Sequence, residues 1–416
     1  MKIALVNVGC KVNRVEIDGI AARLLDEGAQ LAEPGFADIV IVNTCTVTGE
    51  AEKKTRKAVR QALRRNPAAQ LLVTGCAAAI DPEELSGIDP RVHVVGKAQV
   101  APAAWELSGE RSHGVLPAGC DAADAAVHLR MGGGFRTRVG IKVQDGCNNA
   151  CTYCIVHVAR GIPVSTPASQ VASEVGCYAS AGVRELVLTG INLGTYESDG
   201  MLLPDLVRSL LPLVPEGRIR VSSVEPCDVS DDLIGLLASS DGHVCRHLHL
   251  PLQSGSSRVL GQMARPYDAE MFLELMSRLR AAVPQVSVST DIIVGFPGET
   301  EEDFQQTLAV ARASGFSKIH VFRYSRREGT PAALRRDQVP AEVIADRAQR
   351  LSELGRALAY RDALRRAGTR ERILVERRGR GTTESYHPAH LPEALETGEL
   401  VELTLTEPSP DGIFLL

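Results

Sequence analysis

The sequence of 416 residues has no uninterrupted apolar run of the roughly 18 residues that a membrane helix needs, so no membrane partner is expected. Its start, MKIALVNVGCK, lacks the ordered basic, apolar and small-residue segments of a secretory signal, which points to a reducing, cytoplasmic setting. A basic excess is missing too: 46 Lys and Arg stand against 51 Asp and Glu, for a formal charge of -5. That balance argues against a protein that wraps nucleic acid over its whole surface. At 44% hydrophobic and 23% charged, the composition excludes disordered and fibrous classes. Ten cysteines are too few for a disulfide scaffold in a chain this long. In a reducing compartment they point instead to metals or catalysis.

Three regions follow from the hydrophobic pattern, and together they predict an α/β protein. Residues 1–115 show buried-strand runs at 2–8, 37–42, 70–74 and 91–95, with a helical pattern at 50–65. This alternation predicts a small Rossmann-like parallel domain. Residues 116–132 read as a linker rich in Ala, Gly and Asp. Residues 133–362 repeat apolar runs at 185–189, 220–223, 247–251, 287–294 and 318–322, with helical patterns at 303–314 and 341–367. That rhythm predicts a partial (β/α) barrel. Residues 363–416 read as a small all-β module, with strands near 373–376, 400–406 and 413–416.

The cysteines divide into sets. Cys147, Cys151 and Cys154 form C-x3-C-x2-C in the Asn- and Gly-rich segment QDGCNNACTYC. Structural zinc and simple electron-transfer iron–sulfur centres usually take four ligands. Three thiolates on a cubane would leave one iron open. Cys10, Cys45 and Cys76 each follow a predicted strand of the first region. C-terminal strand ends of a parallel sheet share one edge, so these thiols can converge as a second three-thiolate set. The plainer alternative is three cysteines packed as small hydrophobes. Cys120, Cys177, Cys227 and Cys245 show no ligand-like spacing and read as core or surface thiols.

The first set, with Tyr153 before its last cysteine, resembles the signature of the radical S-adenosylmethionine enzymes, in which the open iron chelates the cofactor's amino and carboxylate groups. Both sets, in this order and on either side of a linker, resemble the methylthiotransferase family over essentially the whole chain, with a TRAM-like β module at the end. TGINLG at 189–194, CRHLHLPLQSGS at 245–256, DIIVGFPGET at 291–300 and GTTESY at 381–386 are most similar to the branch that modifies threonylcarbamoyladenosine 37 of tRNA. The resemblance implies two [4Fe-4S] clusters, on Cys147/Cys151/Cys154 and on Cys10/Cys45/Cys76, with all six cysteines counted as metal-binding and catalytic. It also implies S-adenosylmethionine as cofactor, tRNA as acceptor, a low-potential electron donor and a sulfur donor, in a chain expected to be monomeric. The 5'-deoxyadenosyl radical would take hydrogen from C2 of the adenine, and a methylthio group would fill that position.

By the same resemblance, Tyr153, Thr189, Gly190, Asn192, Ser223, Glu225, Gln253, Ser254, Ile292, Gly295 and Glu299 are the candidate cofactor-binding residues. Each also has a plainer reading as a turn former after a strand. Two basic runs could meet RNA electrostatically. The first is Lys53, Lys54, Arg56, Lys57, Arg60, Arg64 and Arg65, and the second includes Arg361, Arg365, Arg366, Arg370, Arg372, Arg377, Arg378 and Arg380. The chain departs from the family pattern at His157 and Val158 (commonly Pro and Tyr), at Thr166 (commonly Arg), and at Arg323 and Arg326 (commonly Pro). Residues 381–416 hold seven acidic residues and no Lys or Arg. A redirected enzyme with a non-tRNA acceptor, small molecule or peptide, is the alternative reading. An RNA-binding protein with purely structural clusters is a further one.

Overall fold

The structure, a computed structural model, describes residues 1–46, 49–111 and 137–416, and of residues 49 and 50 only the backbone. The linker expected at 116–132, and Cys120 within it, lie outside the described residues. Two compact units emerge. One holds residues 1–111 together with Gly146–Asn148 and Cys154–Ile162; the other holds 137–145, Asn149–Tyr153 and 163–416.

The first unit is built on a five-stranded, all-parallel sheet in the order Gln30–Leu31, Lys2–Asn7, Ile39–Thr44, Gln70–Gly75, Val92–Val94. Its central strands are continuous apolar runs because helices cover both faces. Ile39, Val40, Ile41 and Val42 are all within 1% exposure, so neither side of that strand reaches water. Val40, Val42, Leu71 and Val73 pack with Val59, Ala62 and Leu63 of the helix Gly49–Arg65. Ile39, Ile41 and Leu72 pack on the other side with Leu24 and with Val100, Ala104 and Trp105. The edge strand Gln30–Leu31 went unpredicted: two exposed residues carry no hydrophobic period.

In the second unit, the parallel strands Arg138–Lys142, Glu185–Thr189 and Arg218–Val221 form one sheet, and His247–His249, Ser287–Val294 and Lys318–Arg323 another. Isolated bridges Ile219↔Val244 and Ser223↔His249 join them into the curved six-stranded layer expected of a partial barrel. The helices Glu301–Ser314 and Ala341–Arg366 pack on its outside.

The same unit ends in a five-stranded sheet ordered Leu400–Thr404, Arg370–Arg377, Arg380–Thr383, Pro388–His390, Phe414–Leu415. Two of these strands, Arg380–Thr383 and Pro388–His390, were not predicted, since Gly, Thr and Pro mask their pattern. A buried charge cluster ties this sheet to the barrel. Glu185, 0% exposed, receives Arg218 Nε and Arg220 Nε at 2.7 Å each. The remaining guanidinium nitrogens reach across to backbone carbonyls of Arg372, Thr382, Thr383 and Glu384. Burial raises the Glu185 carboxyl, but the two arginines overcome it and hold the group well below the usual carboxylate range. Tyr386, at φ +73°, lies 4.7 Å under Arg220 and 4.9 Å from the His247 ring.

Candidate active site

The turns after three adjacent strands of the first unit carry Cys10, Cys45 and Cys76. Register pairs Asn7 with Asn43 and Thr44 with Gly75, so the strands end in step. Cys10 is the N-cap of the helix Lys11–Asp26 and is exposed. Cys45 follows Ile39–Thr44 directly and Cys76 follows Gln70–Gly75; they are 4% and 2% exposed. This is the common edge that the strand pattern implied.

A polar network fixes these turns. Asn13, fully buried, donates to Asn43 Oδ1 at 3.0 Å and to the Thr44 carbonyl at 2.8 Å, while Asn43 donates back to the Asn13 carbonyl at 2.7 Å. Thr44 Oγ1 donates to the Thr74 carbonyl and accepts from Ala78 N–H. Gly75 sits at φ +99°, and a Cβ there would come within 2.4 Å of Asn43 Oδ1 and the Thr44 carbonyl. Gly75→Ala is therefore expected to lower stability by about 2 kcal/mol, read by chemical denaturation of the cluster-free protein. An unchanged midpoint would refute the close approach.

Sequence reasoning assigned no role to Arg160, yet it is the central cation of this site. Its side chain is 2% exposed. Nε donates to Cys76 Sγ at 3.1 Å, Nη1 to Glu16 Oε1 at 2.8 Å, and Nη2 to Asn13 Oδ1 at 3.3 Å. Asn13 Oδ1 also accepts from Cys10 Sγ at 3.0 Å, so one amide oxygen links Cys10 to the arginine that contacts Cys76. Lys97 Nζ lies 2.6 Å from Glu16. Burial pushes the Cys76 thiol above its ordinary value, and Arg160 pulls it back toward the thiolate.

Cys147, Cys151 and Cys154 occupy a second loop. Gly146 (φ +73°) must be glycine, since a Cβ would lie 2.0 Å from the Ile162 carbonyl. Within the first unit, Cys147 N–H donates to the Gly161 carbonyl and Cys154 Sγ accepts from Val156 N–H. Within the second unit, Thr152 is pinned by the Met263 and Gln262 carbonyls and by Ala332 N–H. Cys151, 5% exposed, accepts from Arg265 Nη1 at 3.0 Å. Arg265, 2% exposed, also ion-pairs with Glu225 and donates to Tyr267 Oη. This second guanidinium-to-sulfur contact likewise had no sequence signal. Burial raises the Glu225 carboxyl and Arg265 opposes it, so the candidate Glu225 has a defined partner.

The other candidates fall into two kinds. Thr189 ends its strand, and Gly190 packs so closely that a Cβ would meet the Gln144 carbonyl at 2.9 Å. Asn192 caps the next turn: its amide donates to Asp228 and accepts from the backbone N–H groups of Gly194 and Glu225. Ser223 pairs with His249, and Gln253 (φ +61°) with Ile292, along the barrel rim. Tyr153 packs against the small cluster of Val259, Met263, Ile293, Phe296 and Ala332. Thr189 and Asn192 are buried at this rim, at 2% and 3% exposure. In the second kind, Ser254 is engaged with Thr307 and Ser256, Ile292 lies in the core, and Glu299 accepts from Gly295 N–H and Arg347. Gly295 (φ +79°) packs against Ile344, where a Cβ would approach within 2.3 Å.

The donor sets suit iron–sulfur ligation. Each set offers three thiols, Cys10, Cys45 and Cys76 in one and Cys147, Cys151 and Cys154 in the other, the ligand type of iron–sulfur centres. Each cysteine set has a buried arginine on one of its sulfurs, which stabilises anionic sulfur. The remaining thiols differ. Cys245 is fully buried and pushed up to about 11 by desolvation, against the pull of Arg220 and Arg218. Cys227 is likewise pushed up to about 11 by desolvation and by Asp228. Cys177 departs from the expected lone thiol, being disulfide-bonded.

Residues 141–311 match the radical SAM superfamily, and residues 2–96 match the uncharacterized protein family UPF0004. The chain is 36% identical to the threonylcarbamoyladenosine tRNA methylthiotransferase MtaB of Chlamydia pneumoniae, over 90% of this chain and 86% of that one. It is also 36% identical to the tRNA-2-methylthio-N(6)-dimethylallyladenosine synthase of Saccharopolyspora erythraea, over 95% of this chain and 82% of that one. In fold it is similar to the radical S-adenosylmethionine methyltransferase TsrM of Kitasatospora setae, with a TM-score of 0.58 at 17% identity, covering 80% of this chain and 77% of that one. With these relatives and these cysteines, the chain belongs to the methylthiotransferase family of radical S-adenosylmethionine enzymes, whose cofactors are S-adenosylmethionine and [4Fe-4S] clusters.

Proposed function

We propose that the protein inserts a methylthio group at C2 of N6-threonylcarbamoyladenosine 37 of tRNA. The observation that carries this reading is the similarity, over 86–90% of this chain, to three relatives named for threonylcarbamoyladenosine tRNA methylthiotransfer, at 36–38% identity. The motifs TGINLG and GTTESY support it over the dimethylallyladenosine reaction of other relatives.

In this reading Cys147, Cys151 and Cys154 hold the cluster that binds S-adenosylmethionine, and Cys10, Cys45 and Cys76 hold the auxiliary cluster. When bound, the cofactors supply reductive cleavage of S-adenosylmethionine and the sulfur to be transferred. The chain's own residues tune and position. Arg160 donates to Cys76 Sγ and Arg265 to Cys151 Sγ, where each would offset the negative charge of a ligating thiolate. Glu225 and Asn192 sit at the barrel rim, where they would orient the cofactor, and Gly190 lets backbone approach closely. Lys53, Lys54, Lys57, Arg60, Arg64 and Arg65 are exposed along one helix and suit phosphate contact. The second basic run contributes less than its count implied. Arg366 is buried between Asp362 and Glu371, Arg370 and Arg378 pair with Glu402 and Glu393, and Arg361, Arg365, Arg377 and Arg380 stay exposed.

We assign residues 1–115 to the auxiliary-cluster domain, 133–362 to the radical domain and 363–416 to the β module. A low-potential electron donor and an external sulfur source complete the system. Anaerobically reconstituted protein, given reductant, S-adenosylmethionine and tRNA bearing threonylcarbamoyladenosine, is expected to yield the 2-methylthio nucleoside by mass spectrometry. Formation of 5'-deoxyadenosine without that nucleoside would refute the acceptor.

A further inference from the structure

Three side chains on neighbouring barrel strands have no place in the chemistry above. His249 closes the strand His247–His249 and pairs in register with Ser289. Asp291 lies two residues further along, on the same face of Ser287–Val294, because side chains alternate along a strand. His320, on the next strand, pairs in register with Asp291. Three neighbouring parallel strands thus bring two imidazoles and one carboxylate together. One ligand atom of each lies within 4.8 Å of the other two.

The internal geometry favours a cation over a hydrogen-bonded pair. His249 Nε2 and Asp291 Oδ2 are 3.4 Å apart. That is long for a hydrogen bond, whose usual length is about 2.9 Å. It equals the edge of a tetrahedron built on metal–ligand bonds of roughly 2.0–2.1 Å, which is about 3.4 Å. The other ring nitrogen of His249, Nδ1, is held by Ser289 Oγ at 3.0 Å, which aims Nε2 at Asp291. Such an outer hydrogen bond on a ligating histidine is the usual companion of a metal site. The His249 and His320 rings are 5.9 Å apart and tilted by 60°, so they converge without stacking. Among the described residues no Lys or Arg forms an ion pair with Asp291. His320 is exposed, which gives an ion an entry path.

We propose that His249, Asp291 and His320 form a two-histidine, one-carboxylate site for a divalent first-row cation of the zinc class, separate from the iron of the clusters. Three protein ligands leave a position open to water or a substrate oxygen. Ser223, which pairs with His249, places the site beside the candidate cofactor residues.

The test uses the anaerobically reconstituted holoenzyme, dialysed against zinc and then against zinc-free buffer, with zinc and iron counted by mass spectrometry. The wild type is expected to retain one zinc per chain beyond its iron. His320→Ala and Asp291→Asn are expected to weaken retention by at least about tenfold with iron unchanged. His320 is exposed, so its replacement leaves folding intact. X-ray absorption at the zinc edge is expected to show nitrogen and oxygen neighbours only. No retained zinc in the wild type, equal retention in both variants, or sulfur in the zinc shell would each overturn the proposal.

Discussion

Alanine at Cys10, Cys45 or Cys76 will bring methylthio transfer to background while 5'-deoxyadenosine is still formed. The two activities separate because the cysteine sets have separate surroundings. Cys45 and Cys76 are held by the Asn13–Asn43–Thr44 network at the strand ends, whereas Cys151 is held by Arg265 and its loop by Thr152. Each alanine variant should also lose the iron of one cluster and keep that of the other. Arg160→Met tests the same site more gently. It removes the donor to Cys76 and leaves Glu16 with Lys97 as its remaining named cationic partner, so auxiliary-cluster iron should be lost faster to a chelator. Variants of Cys10, Cys45 and Cys76 with unchanged iron and unchanged product would dismiss the second cluster.

Glu185→Ala will destabilise the second unit by about 3–5 kcal/mol, because it leaves two buried guanidiniums without their shared carboxylate. Arg218 and Arg220 are each within 2% exposure, so water cannot replace the lost charge without opening the structure. The same cluster gives stability a pH dependence of definite sign. The folded-state carboxyl lies below its ordinary value of 4.5, so its contribution is present above that pH and fades as pH falls further. The variant should lose this part of the acid response. Urea denaturation of both proteins across pH 3 to 8 measures the two effects together. A variant within about 1 kcal/mol of the parent at neutral pH would show that the cluster is dispensable.

The spacing of Cys147, Cys151 and Cys154, and the strand-end positions of Cys10, Cys45 and Cys76, were legible because they are local patterns. So were the long strands Glu185–Thr189 and Ser287–Val294, whose apolar runs match their observed limits. Arg160 was not legible, although it stands only six residues after Cys154. Its partner Cys76 is 84 residues away, and nothing in the intervening pattern announces the contact. Arg265, 114 residues from Cys151, was hidden for the same reason. Arg366 shows the opposite error: charge counting placed it on a basic surface, while ion pairing placed it inside. His249, Asp291 and His320 are separated by dozens of residues, and only strand register brings them side by side.

The stretch Cys154–Ile162 packs as part of the first unit although it follows that unit by dozens of residues in the chain. A fragment ending at residue 111 would therefore be an incomplete object. It would lack the helix Val156–Arg160 and would expose the small residues of Cys76–Ile80 on which that helix rests. Glu16 and Asn13 would keep their places and lose the guanidinium between them. The amino-terminal domain is thus not a cassette that can be trimmed off or grafted by cutting the sequence once. Any exchange between relatives has to carry residues 154–162 along with it, and so takes the last radical cysteine too.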